Sequence, residues 1–365
     1  MKRDREILYV SYLDNWGAGI ETKIKNHCDY FVNKGFDVTY ITLARQISRI
    51  KKYLYKIIPF CSEYSYDEFE KGKDIVFIRY CKMDFQGYKA LRKLRTHCNK
   101  IIIEIPTFPY DGEIKGIFKL FNYKDKIWRE KICKYVDKIL TYSDDKEIYG
   151  IPTVNISNFV NIDTVAVSKR NNSELKEINL IAVASIAFWH GYDRIIEGMN
   201  IYYKHKNNPE YTIIFNMVGE GNELLKYKEL VRKYNLGKYV KFYGRKTGNE
   251  LDKIYDIADI AVDSLGRHRN HIYYNSTLKG KEYLAKGLPI ISGVKTELDA
   301  DDTFKYYLSV PADDTPIDMM EIVEFYNKIY SKEKFEIVHA NIRKYAEDNF
   351  CIDKCMEPIV KIMEN

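Results

Sequence analysis

Residues 7–43, ILYVSYLDNWGAGIETKIKNHCDYFVNKGFDVTYITL, decide the fold class. The opening ILYVS is an apolar run suited to a strand buried on both faces. A glycine-bearing loop follows, DNWGAG at 14–19. Over 20–34 the apolar residues change period, and Ile24, Cys28, Phe31 and Val32 fall on one helical face. Gly35 supplies a helix stop, and FDVTYITL (36–43) returns to strand composition. Strand, loop, helix and strand in that order form the βαβ opening of a doubly wound domain.

The alternation continues outward. Strands are expected at 74–79, 100–105, 136–141 and 154–157. The polar, charged stretch 164–178 reads as a linker. Beyond it the pattern restarts. Strands are expected at 178–184, 211–218, 240–243, 260–263 and 289–292. Helices are expected at 194–205, 223–234, 250–257 and 278–286, with one or two amphipathic helices over 340–365. The expected fold is α/β: two Rossmann-like doubly wound domains facing a cleft. Residues 1–165 form the first, 176–340 the second, and 341–365 pack back on the first. Ligands of such sheets sit outside the carboxyl ends of the strands.

Composition narrows the function. The 365 residues are 45% hydrophobic and 30% charged, which excludes a disordered chain. The net charge of +6 is spread without one long basic run, so no nucleic-acid partner is expected. Seven cysteines without a recurring C-x-x-C read as reduced thiols, with neither a disulfide frame nor a metal site. No apolar run reaches ~18 residues, and the opening MKRDRE leads straight into a strand. A cytoplasmic protein is expected.

Several glycine-bearing strand ends carry candidate chemistry. Gly17 and Gly19 precede a helix and would let a bound anion approach its N-terminus, or simply form a tight turn. Thr22 stands where a dinucleotide fingerprint has its third glycine. In the second half, VGEG (218–221) ends one strand and VKFYG (240–244) another, with Arg245 next. STLKGKEYLAKGLPIIS (276–292) carries a helix, a Gly-x-Pro turn at Gly287–Pro289 and an apolar strand.

In this order and spacing these motifs resemble the C-terminal domain of the retaining GT-B-fold glycosyltransferases, the glycosyl transferase group 1 family. The likeness extends over almost the whole chain. EIPTFPYDGE (104–113) resembles a subgroup found in capsule and exopolysaccharide clusters. The resemblance implies a donor nucleotide bound by Gly219, Gly244, Arg245, Thr277, Leu278, Lys279 and Glu282, joined by Gly17 and Gly19. Glu282 matches the second glutamate of the family's E-x7-E segment, which bonds the donor ribose. The first glutamate is replaced by Tyr274, and the family's Arg/Lys pair by Ser185 and His190.

Three residues are the catalytic candidates. Lys279 stands at a helix start that can face a diphosphate. His190 can donate to a phosphate and, when protonated, neutralise leaving-group charge. Glu104, at a strand's carboxyl end, would face the cleft, with Thr107 and Tyr110 as further acceptor-site candidates. The chain lacks a D-x-D motif at a plausible strand end, so no metal and no cofactor beyond the co-substrate are expected.

Two stretches mix basic and apolar residues, 45–58 (RQISRIKKYLYKII) and 113–135, which includes Lys115, Phe118, Phe121 and Trp128. They suit an anionic membrane surface, or a surface helix with its apolar face in the core. The expected activity is metal-independent hexosyl transfer from a UDP- or GDP-sugar to a lipid-linked oligosaccharide in capsular or exopolysaccharide synthesis. The expected place is the cytoplasm at the inner face of the plasma membrane. The alternatives are a non-catalytic GT-B subunit of a heteromeric transferase and a nucleotide-sugar 2-epimerase.

Overall fold

The computed structural model describes residues 5–12, 18–72, 74–113, 119, 122–170, 176–205 and 209–364. Gly17, and Lys115, Phe118 and Phe121 of the second basic stretch, lie outside the described residues. The chain divides into two compact units, Met1–Ile156 with Asp353–Asn365, and Ser157–Ile352.

The first unit runs β1 (Glu6–Ser11), α1 (Ala18–Asn33), β2 (Asp37–Thr42), α2 (Arg49–Ile57), β3 (Ile75–Arg79), α3 (Phe85–Leu94), β4 (Lys100–Ile105), α4 (Tyr123–Trp128), β5 (Lys138–Thr141), β6 (Glu147–Ile148) and β7 (Ile151–Asn155). Its seven-stranded sheet has the order β2-β1-β3-β4-β5-β7-β6. Every described pair is parallel except the β6–β7 hairpin. The apolar runs sit centrally: β3, IVFIR, is buried at every position, its terminal Arg79 included, whereas β2 at the edge has no buried position. The strand order reverses between β1 and β3, which puts the ligand crevice of this sheet outside their carboxyl ends.

The second unit holds β8 (Glu177–Val183), α5 (Asp193–His205), β9 (Thr212–Val218), α6 (Leu224–Lys233), β10 (Val240–Phe242), α7 (Gly248–Tyr255), β11 (Ile260–Val262), α8 (Leu278–Lys286), β12 (Ile290–Ser292), β13 (Tyr307–Ser309), α9 (Met319–Tyr330) and α10 (Phe335–Phe350). The last helix, α11 (Ile352–Glu364), belongs to the first unit from Asp353 onward. There Arg5 donates to the Met363 carbonyl at 2.7 Å and Lys100 to that of Ile362 at 2.5 Å. The second sheet is parallel, in the order β10-β9-β8-β11-β12-β13. Its order reverses between β8 and β11, so the crevice of this unit opens there.

The described part of the polar stretch 164–178 is tied down. The Ser168 amide donates to the Lys286 carbonyl at 2.9 Å, and Arg343 donates to the carbonyls of Ile162, Val165 and Ala285. No helix among the described residues is long and apolar enough to cross a membrane.

Candidate functional site

The loops that follow β8 and β11 meet at the switch point of the second sheet. Gly219 and Gly221, after β9, let two loops touch. A Cβ on Gly219 would lie 1.9 Å from the Ala184 carbonyl oxygen, and one on Gly221 2.0 Å from that of Ile186. Both glycines hold a positive φ. The Gly219 amide donates to the Gly244 carbonyl at 2.7 Å, and the Ile186 amide to the Glu220 carbonyl at the same distance. Gly219 and Gly244 therefore set the loop walls of the crevice. Arg245, beside them, is exposed.

The start of α8 is fixed from several sides. Thr277 is its N-cap and accepts from the Gly280 amide at 3.0 Å, while its own hydroxyl donates to Asp263. Ser276 accepts from the Asn158 amide at 2.9 Å, and the Asn158 side chain donates to the Ser276 carbonyl at 2.6 Å. Asn158 thus anchors this helix start within the second unit. The amides of Leu278 and Lys279, in the first turn, have no partner within the helix. They carry the positive end of its dipole.

Asp263, just past β11, is buried at 1% exposure. Lys279 lies 3.1 Å from its Oδ1 and donates to the Ser264 hydroxyl at 3.0 Å. Burial pushes the Asp263 carboxyl up, but Lys279 and the Thr277 hydroxyl outweigh it and hold the group below its ordinary value. Burial likewise draws the Lys279 ammonium down, partly offset by Asp263. Lys279 nonetheless keeps 20% exposure. It is a cation held in place at a helix start with one side still open.

Glu282, one turn further along α8, is half-buried. Its Oε1 accepts from the Tyr255 hydroxyl at 3.1 Å, and burial raises its carboxyl. Tyr274 pairs by a backbone bridge with Lys295. Ser185 is exposed.

His190 departs from expectation. It is 5% exposed, stacks on Tyr192 and accepts the Ala187 amide on Nδ1 at 3.0 Å. Burial, then Lys279 and Arg267, push its imidazole well below the ordinary value. The ring is therefore neutral, with the proton on Nε2. It can donate, but it cannot supply a positive charge.

The nearby loop brings a residue that the motifs did not single out. Arg267 follows β11 and sits with its guanidinium 5.7 Å from the Trp189 ring centre. The Leu265 amide donates to the His190 carbonyl at 2.8 Å, and Arg269 donates to the Phe188 carbonyl at 2.9 Å and to Asp193 at 3.0 Å. These bonds pin the Arg267 loop against the His190 loop. Asp263 and Arg267 were missed because neither carries a local motif; DSLGRHRN offers only a strand end followed by basic residues.

Glu104 requires a second correction. It does not face a cleft: it is fully buried. Arg79 donates to its Oε2 at 2.8 Å, Tyr142 donates to its Oε1 at 2.6 Å, and Lys23 lies 3.1 Å from Oε1. Burial would raise the carboxyl, but Arg79 and Lys23 hold it far below the carboxylate range. Burial draws Lys23 down to about 8 against that pull. The group is a buried ion cluster locking α1, β3, β4 and the segment after β5. Tyr110 is half-buried and donates to Asp125 at 2.7 Å; Thr107 is half-buried. Gly19 lies in the first turn of α1, and a Cβ there would meet nothing within 4 Å, so the packing of the protein itself does not require a glycine at this position.

Residues 165–268 match the family described as glycosyl transferases group 1. No curated protein matches the chain. Among solved structures it is similar to a sucrose-phosphate synthase from Thermosynechococcus elongatus, with TM-score 0.68 and 14% identity over 99% of this chain and 98% of that one. It is similar to a glycosyltransferase from Rickettsia africae, with TM-score 0.65 and 15% identity over 99% and 98%. It is also similar to HepE of Anabaena in complex with UDP, with TM-score 0.62 and 13% identity over 98% and 99%. At these identities the likeness shows the fold, two parallel-sheet α/β domains of the GT-B type, on which the chain carries a group 1 segment.

Proposed function

We propose that this chain is a retaining glycosyltransferase that moves a hexose from a UDP- or GDP-sugar to a lipid-linked oligosaccharide. The observation that carries the reading is Lys279, held by Asp263 at the start of α8, beside the switch point of the second sheet. A nucleoside diphosphate has the charge that this helix start and lysine complement. Gly219, Gly244 and Arg245 would border the base, and Glu282 would accept from the ribose hydroxyls. Family membership of residues 165–268 and the UDP bound by the Anabaena neighbour support the same assignment.

In the proposed step the bond from the anomeric carbon to the diphosphate oxygen breaks as the acceptor oxygen bonds that carbon from the same face. The acceptor proton passes to the departing phosphate. Lys279, the amides of Leu278 and Lys279, and neutral His190 through Nε2–H would stabilise the charge that develops on the diphosphate. Gly19, in the first turn of α1, remains a candidate for contacting an anion, as does Gly17 from the sequence. Metal independence belongs to the same proposal.

The capsular or exopolysaccharide pathway and a place at the inner face of the plasma membrane are also proposals. The helix α2 supports them: none of its residues is buried, and Ile50 is 74% exposed among Arg49, Lys51 and Lys52. Phe60, just beyond, is 68% exposed. An apolar face flanked by cations suits an anionic bilayer.

Calorimetry with UDP and GDP tests the nucleotide site. One of them should bind, and Glu282→Ala should weaken it about tenfold, roughly 1.4 kcal/mol. Binding of neither nucleotide would sink the reading and favour a non-catalytic subunit. Epimerisation of a nucleotide sugar without acceptor would favour the epimerase.

A further inference from the structure

The loop after β11, residues 263–270, is wedged between the loops that follow β8 and β12. A Cβ on Gly191 would lie 2.6 Å from the Gly266 amide nitrogen, and one on Gly293 2.8 Å from the Leu265 Cα. The Leu265 carbonyl accepts from the buried Arg194 at 2.5 Å, and the Gly293 amide donates to the Ser264 carbonyl at 3.0 Å. With the bonds to the Phe188 and His190 carbonyls, these contacts fix the loop on both sides. A side chain carried on such a loop has little freedom left to lose when it meets a ligand.

Arg267 is carried on this loop. It is half-buried, and its guanidinium lies at cation–π distance, 5.7 Å, from the Trp189 ring centre. Lys279 is tied to the same loop, since it donates to the Ser264 hydroxyl at 3.0 Å. Both cations act on His190: after burial, Lys279 and Arg267 push its imidazole down. Arg267 also adds to the burial that draws the Lys279 ammonium down. Two like charges this close repel each other, and an anion placed between them relieves the repulsion.

We infer that Arg267 binds the β-phosphate of the donor nucleotide, and that Lys279 with the start of α8 binds the α-phosphate. The role rests on the nucleotide site proposed above, and the order of the groups supports it. Glu282, placed at the ribose, lies one turn further into α8, and Lys279 stands at the helix start. Ser264, bonded to Lys279, precedes Arg267 by three residues. Ribose, first phosphate and second phosphate follow one another along that path. A guanidinium offers a planar fork to two phosphate oxygens, where an ammonium offers a point charge. Arg267 thus makes the site prefer a nucleoside diphosphate to a monophosphate.

The test is calorimetry on the full chain with UDP against UMP, and with GDP against GMP. For the base that the parent binds, the diphosphate should bind more tightly than the monophosphate. Arg267→Met should weaken the diphosphate about tenfold or more and leave the monophosphate within about twofold. Arg267→Lys, which keeps a charge without the fork, should fall between. Lys279→Met should instead weaken both nucleotides. Unchanged diphosphate affinity in Arg267→Met would overturn the role of Arg267 while leaving the nucleotide site standing. A parallel loss of monophosphate affinity would do the same, because it would mark a displaced loop and not a lost phosphate contact. If Arg267→Met shows no melting transition, Arg267→Lys decides: loss confined to the diphosphate upholds the role, and any other result overturns it. A parent that binds neither UDP nor GDP would sink this role and the nucleotide reading together.

Discussion

Glu104 and Asp263 invite comparison because each is a buried carboxylate at the carboxyl end of a parallel strand, paired with a lysine from a helix. The first meets two cations and a tyrosine hydroxyl, and Lys23 and Arg79 are themselves only 5% and 4% exposed. The second meets one lysine, which keeps 20% exposure at the start of α8. The same pairing thus closes one site and presents a cation at the other. A carboxylate at a strand end is a place for chemistry only if its partners leave something unspent.

The largest effect should come from the closed cluster. Glu104→Gln leaves Lys23 and Arg79 buried without their counter-charge, which costs ~3–5 kcal/mol. The melting temperature should fall by several degrees or more. Nucleotide affinity of the folded protein, by calorimetry, should be unchanged. A loss of turnover at unchanged stability would instead return Glu104 to the active site. The cluster also sets an acid limit. The folded carboxyl titrates below its unfolded value, so its contribution is present above about pH 4.5 and is lost as the pH falls further.

The open pair should invert that result. Lys279→Met should weaken UDP or GDP binding by ~10–100-fold, the worth of one charge-assisted contact. Its effect on folding should be smaller than that of Glu104→Gln, because Asp263 retains the Thr277 hydroxyl and the Ser264 amide at 2.7 Å. Stability loss as large as for Glu104→Gln, with affinity intact, would erase the distinction between the sites.

The contrast also explains what was legible in the sequence. Periodicity located the core strands, because buried parallel strands are apolar runs of a few residues. The Gly287–Pro289 turn and Glu282 stood out because they lie within one helix and its exit. The short edge strands β6 and β13 and the helix α9 carry weaker patterns and were not anticipated. Neither the lock around Glu104 nor the Asp263–Lys279 pair has a local signature. Arg79 is 25 residues from Glu104 and Tyr142 is 38, and only the folded sheet brings them together. His190 lies in the loop after β8, but its charge state depends on burial and on Lys279 and Arg267, which a loop motif does not reveal.

A smaller effect tests that charge state. His190 stays neutral in the folded protein while its unfolded counterpart titrates near 6.5. Between that value and lower pH the unfolded state binds more protons, so stability falls as the pH falls. Replacing the ring by His190→Asn should flatten the profile between about pH 6.5 and pH 5 by roughly 1–2 kcal/mol, read by urea melts at each pH. Comparing variant with parent isolates this slope from His27 and His339, whose imidazoles burial also lowers. An unchanged slope would mean that His190 is protonated in the fold, and the leaving-group role first expected for it would return.

The smallest effect belongs to Arg245. It is exposed beside Gly244, whose carbonyl receives the Gly219 amide, so the backbone and not the guanidinium shapes the wall of the crevice. Arg245→Ala should change stability by less than ~0.5 kcal/mol, as exposed substitutions do. Nucleotide affinity should fall no more than about threefold, and that residual should vanish at high salt because an exposed charge is screened. If Arg245→Ala instead matches Lys279→Met and resists salt, the cation that matters lies at the outer loop. The contrast between a sealed and an open carboxylate would then no longer mark where the donor binds.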